Sequence, residues 1–273
     1  MELRLYQQEI AQKANKILSE CGFIYLSLEV RCGKTLTALE TCKLYGAKKV
    51  LFITKIKVFS SIQGDYDNFG YKFDITIINK ESIHKVLTND FDVVIIDEAH
   101  GLAAFPKASK YQKDIRKRFS KKPIIFLSGT ATPESFSQWY HQLQVTDKSP
   151  FKQYTNFYKW ANDYVNVIEQ NLGYARVKVY KDGIESKILP QIQPYIITFT
   201  QAEAGFTSEV NEHILECPME DITYDIIKRL KRDKIVQGKS GLILGDTAVK
   251  IMQKVHQLSS GTCKFEDGTS MVI

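Results

Sequence analysis

The stretch FDVVIIDEAH, residues 91–100, passes from apolar and β-branched residues straight into Asp97, Glu98, Ala99 and His100. Such a run reads as a strand buried on both faces that delivers its last side chains to the edge of a sheet. A desolvated carboxylate without a partner is costly, so two adjacent acids at that point call for one. A divalent cation and a phosphate-bound water would supply it. Upstream lies SLEVRCGKTLTALE, residues 27–40. Its Gly33, Lys34 and Thr35 match the end of the phosphate-loop pattern GxxxxGK[ST], with Leu28 where the first glycine would stand and Arg31 and Cys32 inside the loop. In such a loop the backbone amides turn inward around phosphates, the lysine meets the β- and γ-phosphates, and the hydroxyl ligates Mg²⁺. Asp97 would hold that Mg²⁺, usually through water, because the ion dehydrates reluctantly. Glu98 would orient and deprotonate an attacking water. The two motifs together predict an ATPase that uses ATP and Mg²⁺.

The elements around these residues fit that chemistry. Tyr6, Ile10, Ala14, Ile17 and Leu18 recur at helical spacing, and Gly22 is placed to end the helix. FIYLSL (23–28), KVLFIT (49–54), FDITIIN (73–79), FDVVIID (91–97) and PIIFLSG (123–129) read as short apolar strands. Helices are expected from Thr35 to about Tyr45, with Gly46 as the stop, and over 80–89 and 109–120. Alternation of this kind predicts an α/β fold with a parallel sheet flanked by helices, and ligands in such sheets bind beyond the carboxyl ends of the strands. Both motifs fall at such ends. Past residue 146 the pattern changes. Residues 156–168 read as a helix, YARVKVYKDG as a strand entering an Asp182-Gly183 turn, and 209–259 as a strand (HILECP) followed by two helices.

With 273 residues, 44% hydrophobic and 25% charged, the chain has the composition of a globular protein with an ample core. A net charge of +6 permits a polyanionic partner without requiring one. The five cysteines, at 21, 32, 42, 217 and 263, form no CxxC pair and no zinc spacing, which suits reduced intracellular thiols. No apolar run approaches the ~20 residues of a membrane helix. Trp139, Tyr140, Trp160 and Tyr164 could stack on bases, but their helical spacing favours core packing.

At this point the chain resembles the superfamily 2 helicase-like ATPases. LRLYQ (3–7) is similar to their adenine-reading motif, with Gln7 as the reader, and LSGTATP (127–133) to the motif that links the nucleotide site to nucleic acid. Within that superfamily it resembles the Swi/Snf remodeller-like branch in ITIINKESI (75–83), in the stretch from Trp139 through Phe157, and in ECPMEDITYDIIKRL (216–230). VLFITKIKV (50–58) lacks the proline usual in the first DNA-contacting motif, and TFTQAEAG (198–205) stands where relatives commonly carry basic residues. The resemblance implies a RecA-like phosphate-loop lobe over residues 1–146. Residues 147–273 would form a mainly helical extension leading toward a second RecA-like lobe, supplied by a longer chain or in trans. It implies ATP contacts at Gln7, Arg31, Cys32, Gly33, Lys34 and Thr35, with Mg²⁺ on Thr35 and Asp97 and catalysis by Glu98, Lys34 and Asp97. His100, Ser128, Gly129 and Thr130 would couple the motifs, and Lys55, Lys57, Asn79 and Thr132 would touch duplex DNA, with RNA as the alternative. The arginine fingers of the family lie in the second lobe, so weak or no turnover is expected of this chain alone. An intracellular setting, the cytoplasm of a bacterium or of a virus-infected cell, is expected. Two rival readings remain: a nucleotide-switched nucleic-acid-binding module without turnover, and the motor subunit of a restriction or defence system.

Overall fold

The structure, a computed structural model, describes residues 2–171, 176–206, 214–238 and 241–272. The chain divides into two compact units, residues 1–208 and 209–273. The first unit begins with helix α1 (Leu5–Cys21), strand β1 (Phe23–Leu28), α2 (Lys34–Tyr45), β2 (Lys49–Thr54), α3 (Phe59–Asn68), β3 (Asp74–Asn79) and β4 (Val93–Ile96). It continues with α4 (Lys110–Phe119), β5 (Ile124–Ser128), α5 (Trp139–Leu143), α6 (Phe157–Tyr164), β6 (Val165–Asn171), β7 (Arg176–Gly183), α7 (Glu185–Ile192) and β8 (Ile196–Phe199).

Six of these strands form one sheet in the order β3-β2-β4-β5-β1-β8. Every neighbouring pair is parallel. All six carboxyl ends therefore lie on a single edge. Side chains alternate across the sheet, and this splits the apolar interior into two layers. Phe23, Tyr25, Leu51, Ile53, Val94, Ile96 and Phe126 pack on one face beneath α4, α5, α6 and α7. Ile24, Leu26, Leu28, Val50, Phe52, Val93, Ile95 and Leu127 pack on the other beneath α1, α2 and α3. This is the parallel sheet flanked by helices that the alternation of strands and helices predicts, and it agrees with the RecA-like lobe that the resemblance implies. Trp139, Tyr140 and Trp160 are buried, as their helical spacing implies. Among the described residues no helix is long and apolar enough to cross a membrane.

Four expectations need correction. The helix expected over 80–89 is a 3₁₀ segment, Lys80–Lys85. The helix expected over 156–168 stops at Tyr164, because Val165 opens a strand antiparallel to β7 and Ile168 pairs with Val179. Asp182 and Gly183 are not a turn. They pair with Asn166 and Val165, and Gly183 needs its bare Cα because a Cβ there would lie 2.7 Å from the Ser137 amide nitrogen. HILECP is not a strand over residues 214–218, and His213 lies outside the described residues.

The second unit holds α8 (Asp221–Asp233), an antiparallel pair β9 (Ile235–Gln237) and β10 (Leu242–Leu244), α9 (Ala248–Ser259), and a second pair β11 (Thr262–Lys264) and β12 (Ser270–Val272). Ile227, Leu230, Val236, Ile243, Leu258, Cys263 and Phe265 form its own core. Both helices expected in this region are present.

Candidate functional site

The loop from β1 to α2 turns on two residues with left-handed backbone, Arg31 at φ 68° and Gly33 at φ 74°. Leu28 has no such backbone; it is the fully buried last residue of β1, which is why a leucine is tolerated at that end of the loop. A side chain at Gly33 would be strained by the positive φ and would displace Gln7, since a Cβ would fall 2.0 Å from the Gln7 side-chain amide nitrogen. Gln7 is itself buried, and its Oε1 accepts the Arg4 backbone N–H at 2.9 Å. The predicted adenine reader thus lies directly against the loop. Lys34 opens α2, and its ammonium donates to the carbonyls of Leu28 at 2.9 Å and Glu29 at 3.2 Å. Cys32 is buried in the loop, and burial raises its thiol pKa. Thr35 is half-buried in the first turn of α2.

Asp97 follows β4 on the same edge. One carboxylate oxygen accepts the Thr54 hydroxyl at 2.6 Å and the other accepts the Glu98 N–H at 2.9 Å. Burial pushes this carboxyl upward. The Thr54 hydroxyl, the Glu98 amide and the Lys34 charge act against that, while the Glu98 charge adds to it. Thr54 was not apparent from the sequence, yet its position is readable in register. Ile53 lies beside Ile96, so the next residue of β2 falls beside the next residue after β4. A hydroxyl ending an apolar strand is the signal that would have found it.

Glu98 has left-handed backbone at φ 50°, uncommon for a residue with a side chain. Its carboxylate lies 3.9 Å from the Lys55 ammonium and 3.3 Å from His100 Nδ1. The same Nδ1 is 3.0 Å from the Ser128 hydroxyl, which donates to the Thr130 carbonyl at 2.8 Å and accepts the Thr130 amide at 3.2 Å. Gly129 faces the phosphate loop, for a Cβ on it would lie 3.6 Å from the Lys34 ammonium. His100, Ser128, Gly129 and Thr130 therefore form one connected strip between the Asp97-Glu98 pair and Lys34. Of the four residues expected to touch nucleic acid, Lys55 and Lys57 are exposed just past β2. Asn79 ends β3 and donates to Glu81 at 2.8 Å, and Thr132 is half-buried past β5.

Asp97 and Thr35 offer hard oxygen ligands suited to Mg²⁺. A half-buried carboxylate whose charge is only partly compensated fits a cation partner. Among the described residues no three His, Cys, Asp or Glu cluster as a metal site, so a cation here would keep several waters.

A parallel sheet with this strip of residues on its carboxyl edge is a RecA-like lobe of the superfamily 2 helicase-like type. The SNF2-related domain model matches residues 30–265, and the chain belongs to that family. A comparison with curated proteins finds no match. Among solved structures the chain is similar to the Sulfolobus solfataricus SWI2/SNF2 ATPase core domain, with a TM-score of 0.59 and 14% identity. The match covers 94% of this chain and 57% of that one, so the likeness is one of fold and the chain spans little more than half of that structure.

Proposed function

We propose that residues 1–208 bind Mg²⁺-ATP at the carboxyl edge of the sheet and hydrolyse it in a cycle coupled to duplex DNA. The observation that carries this reading is the convergence of Gly33, Lys34, Asp97, Glu98 and Ser128 from β1, β4 and β5 on one edge. Lys34 would leave the Leu28 and Glu29 carbonyls to meet the β- and γ-phosphates, while the loop amides and the start of α2 favour the remaining charge. Thr35 and Asp97 would hold Mg²⁺, which when bound neutralises charge on the phosphates. Glu98 would accept a proton from the attacking water, and His100 with Ser128 would relay its position to the segment past β5. Lys55, Lys57, Asn79 and Thr132 sit at the ends of β2, β3 and β5, suited to phosphate and sugar rather than base edges. The γ-phosphoryl transition state also needs positive charge from the opposite side, and arginine fingers contribute ~10³–10⁵-fold in rate. A second RecA-like lobe, in a longer chain or in trans, would supply it.

Isothermal titration with Mg²⁺-ATP separates the roles. Charge-assisted contacts to phosphate are worth roughly 1.5–3 kcal/mol, so Lys34→Ala should weaken binding about tenfold or more. Glu98→Gln alters the proton acceptor and leaves the phosphate cradle intact, so its affinity should stay near that of the parent. Equal losses in the two variants would overturn the assignment.

A further inference from the structure

The outer face of α4 carries charge that the nucleotide site does not use. Lys113, Arg116 and Lys117 recur at i, i+3 and i+4 and so share one side of the helix, where all three are exposed. Among the described residues none of them is in an ion pair. The adjacent Arg118 is differently employed, donating to the carbonyls of Ile83 at 3.0 Å and Val86 at 2.7 Å. The three cations line a cavity of about 560 Å³, which Phe157 and Tyr158 at the start of α6 line as well.

Two further lining residues, Gln112 and His141, are held by hydrogen bonds. Gln112 is buried and donates to the His141 carbonyl at 3.1 Å. His141 Nε2 lies 3.0 Å from the Pro106 carbonyl, which can only accept, so that nitrogen carries the proton. The His141 ring stacks on Phe157 with centroids 5.7 Å apart. Burial holds the imidazole below its ordinary range, reinforced by Arg116 and Lys113, although its bond to Pro106 acts the other way.

We propose that this groove binds an acidic segment of a polypeptide, whose carboxylates pair with Lys113, Arg116 and Lys117 while an apolar side chain packs against Tyr158. Charge complementarity sets the sign of the partner, and the form of the groove sets its class. Duplex DNA presents a convex, uniformly charged surface that would leave the exposed Tyr158 ring unmatched. Single strands bind by stacking successive bases on exposed rings, and here one ring is available: Tyr158 is 45% exposed, while Phe157 and Tyr140 are 2% and 3% exposed. The location agrees. Helix α4 joins two parallel strands and so runs from the nucleotide edge to the opposite one, and the groove follows it as far as Ser120, down the flank of the sheet.

The test is fluorescence anisotropy of the full 273-residue chain with a labelled peptide alternating Glu or Asp with Phe and Leu. The comparison probes are the same peptide with Gln and Asn for its acids, and an oligothymidylate of equal charge. At low salt the acidic peptide should bind at least tenfold more tightly than its neutral counterpart. K113A/R116A/K117A should remove that advantage, and Tyr158→Ala should weaken binding several-fold. K228A/R229A/K231A, which deletes as much charge from α8, should change it less than twofold. All substituted side chains are exposed, and circular dichroism checks that each variant is folded. The proposal is overturned if the acidic and neutral peptides bind alike, if the α8 variant loses as much as the α4 variant, or if the oligonucleotide binds more tightly through the same three cations.

Discussion

The Asp97 carboxylate keeps two hydrogen bonds, from the Thr54 hydroxyl and the Glu98 amide, and burial still holds it above the ordinary carboxylate range. A raised pKa means that the folded state takes up the proton more readily than the unfolded one. The favourable contribution of this group is therefore fully present below about 3.8, its ordinary value, and is lost as pH rises through the folded pKa. At neutral pH the charged form costs stability, which suits a residue retained to hold a cation. Asp97→Asn removes that cost while keeping the shape of the side chain. In urea unfolding at pH 7 without added metal or nucleotide, the variant should be more stable than the parent, and the gap should close as pH falls to 3.8 and below. A variant less stable at pH 7 would show that the two hydrogen bonds outweigh the burial.

Arg118 does for an element what Thr54 does for a residue. Two carbonyls of the segment after β3 accept from its guanidinium, and this fixes the backbone that follows Asn79. Hydrogen bonds to a charged donor contribute roughly 1.5–3 kcal/mol. Arg118→Ala should lower unfolding free energy by an amount in that range and weaken DNA binding through the 80–85 segment, whereas Lys121→Ala should do neither. Loss of DNA affinity with unchanged stability would place Arg118 on the DNA instead. From the sequence Arg118 could not be told from its neighbours in KDIRKRFSKK, because a basic run does not reveal which member turns inward. All five strands read from the sequence are present; β1, β2, β4 and β5 are buried almost throughout, while β3, at the sheet edge, is only partly buried. The errors fall where local pattern and tertiary pairing compete. Val165 and Ile168 continue a helical stripe from Trp160, yet pairing with β7 takes them into a strand. The Asp182-Gly183 dipeptide carries a turn signal, but the close approach of Ser137 explains its glycine instead. The placement of Gly33, Lys34, Asp97 and Glu98 on one edge is legible because each follows an apolar run that reads as a strand. Thr54 acts through strand register, which a single sequence does not display.

At the scale of the whole molecule, the edge that carries Lys34 and Asp97 also carries Lys55 and Lys57, and a net charge of +6 permits a polyanion. Binding to duplex DNA should be weak and indifferent to sequence. Log affinity should fall against log salt with a slope of about −2 for two lysine–phosphate contacts, and Lys55→Ala should lower that slope by about 1. Affinity unchanged by salt, or a strong preference in a competition assay with mixed sequences, would argue against this surface. A Mg²⁺-ATP site at the carboxyl edge of the first unit makes ATP affinity depend on the metal. ATP affinity with Mg²⁺ and with EDTA, in the parent chain and in Asp97→Asn, tests this. The parent should bind ATP more tightly with Mg²⁺. Asp97→Asn should lose most of that gain while keeping the metal-free affinity, because Lys34 and the loop amides are untouched. No gain from Mg²⁺ in the parent, or the same gain in the variant, would contradict the account.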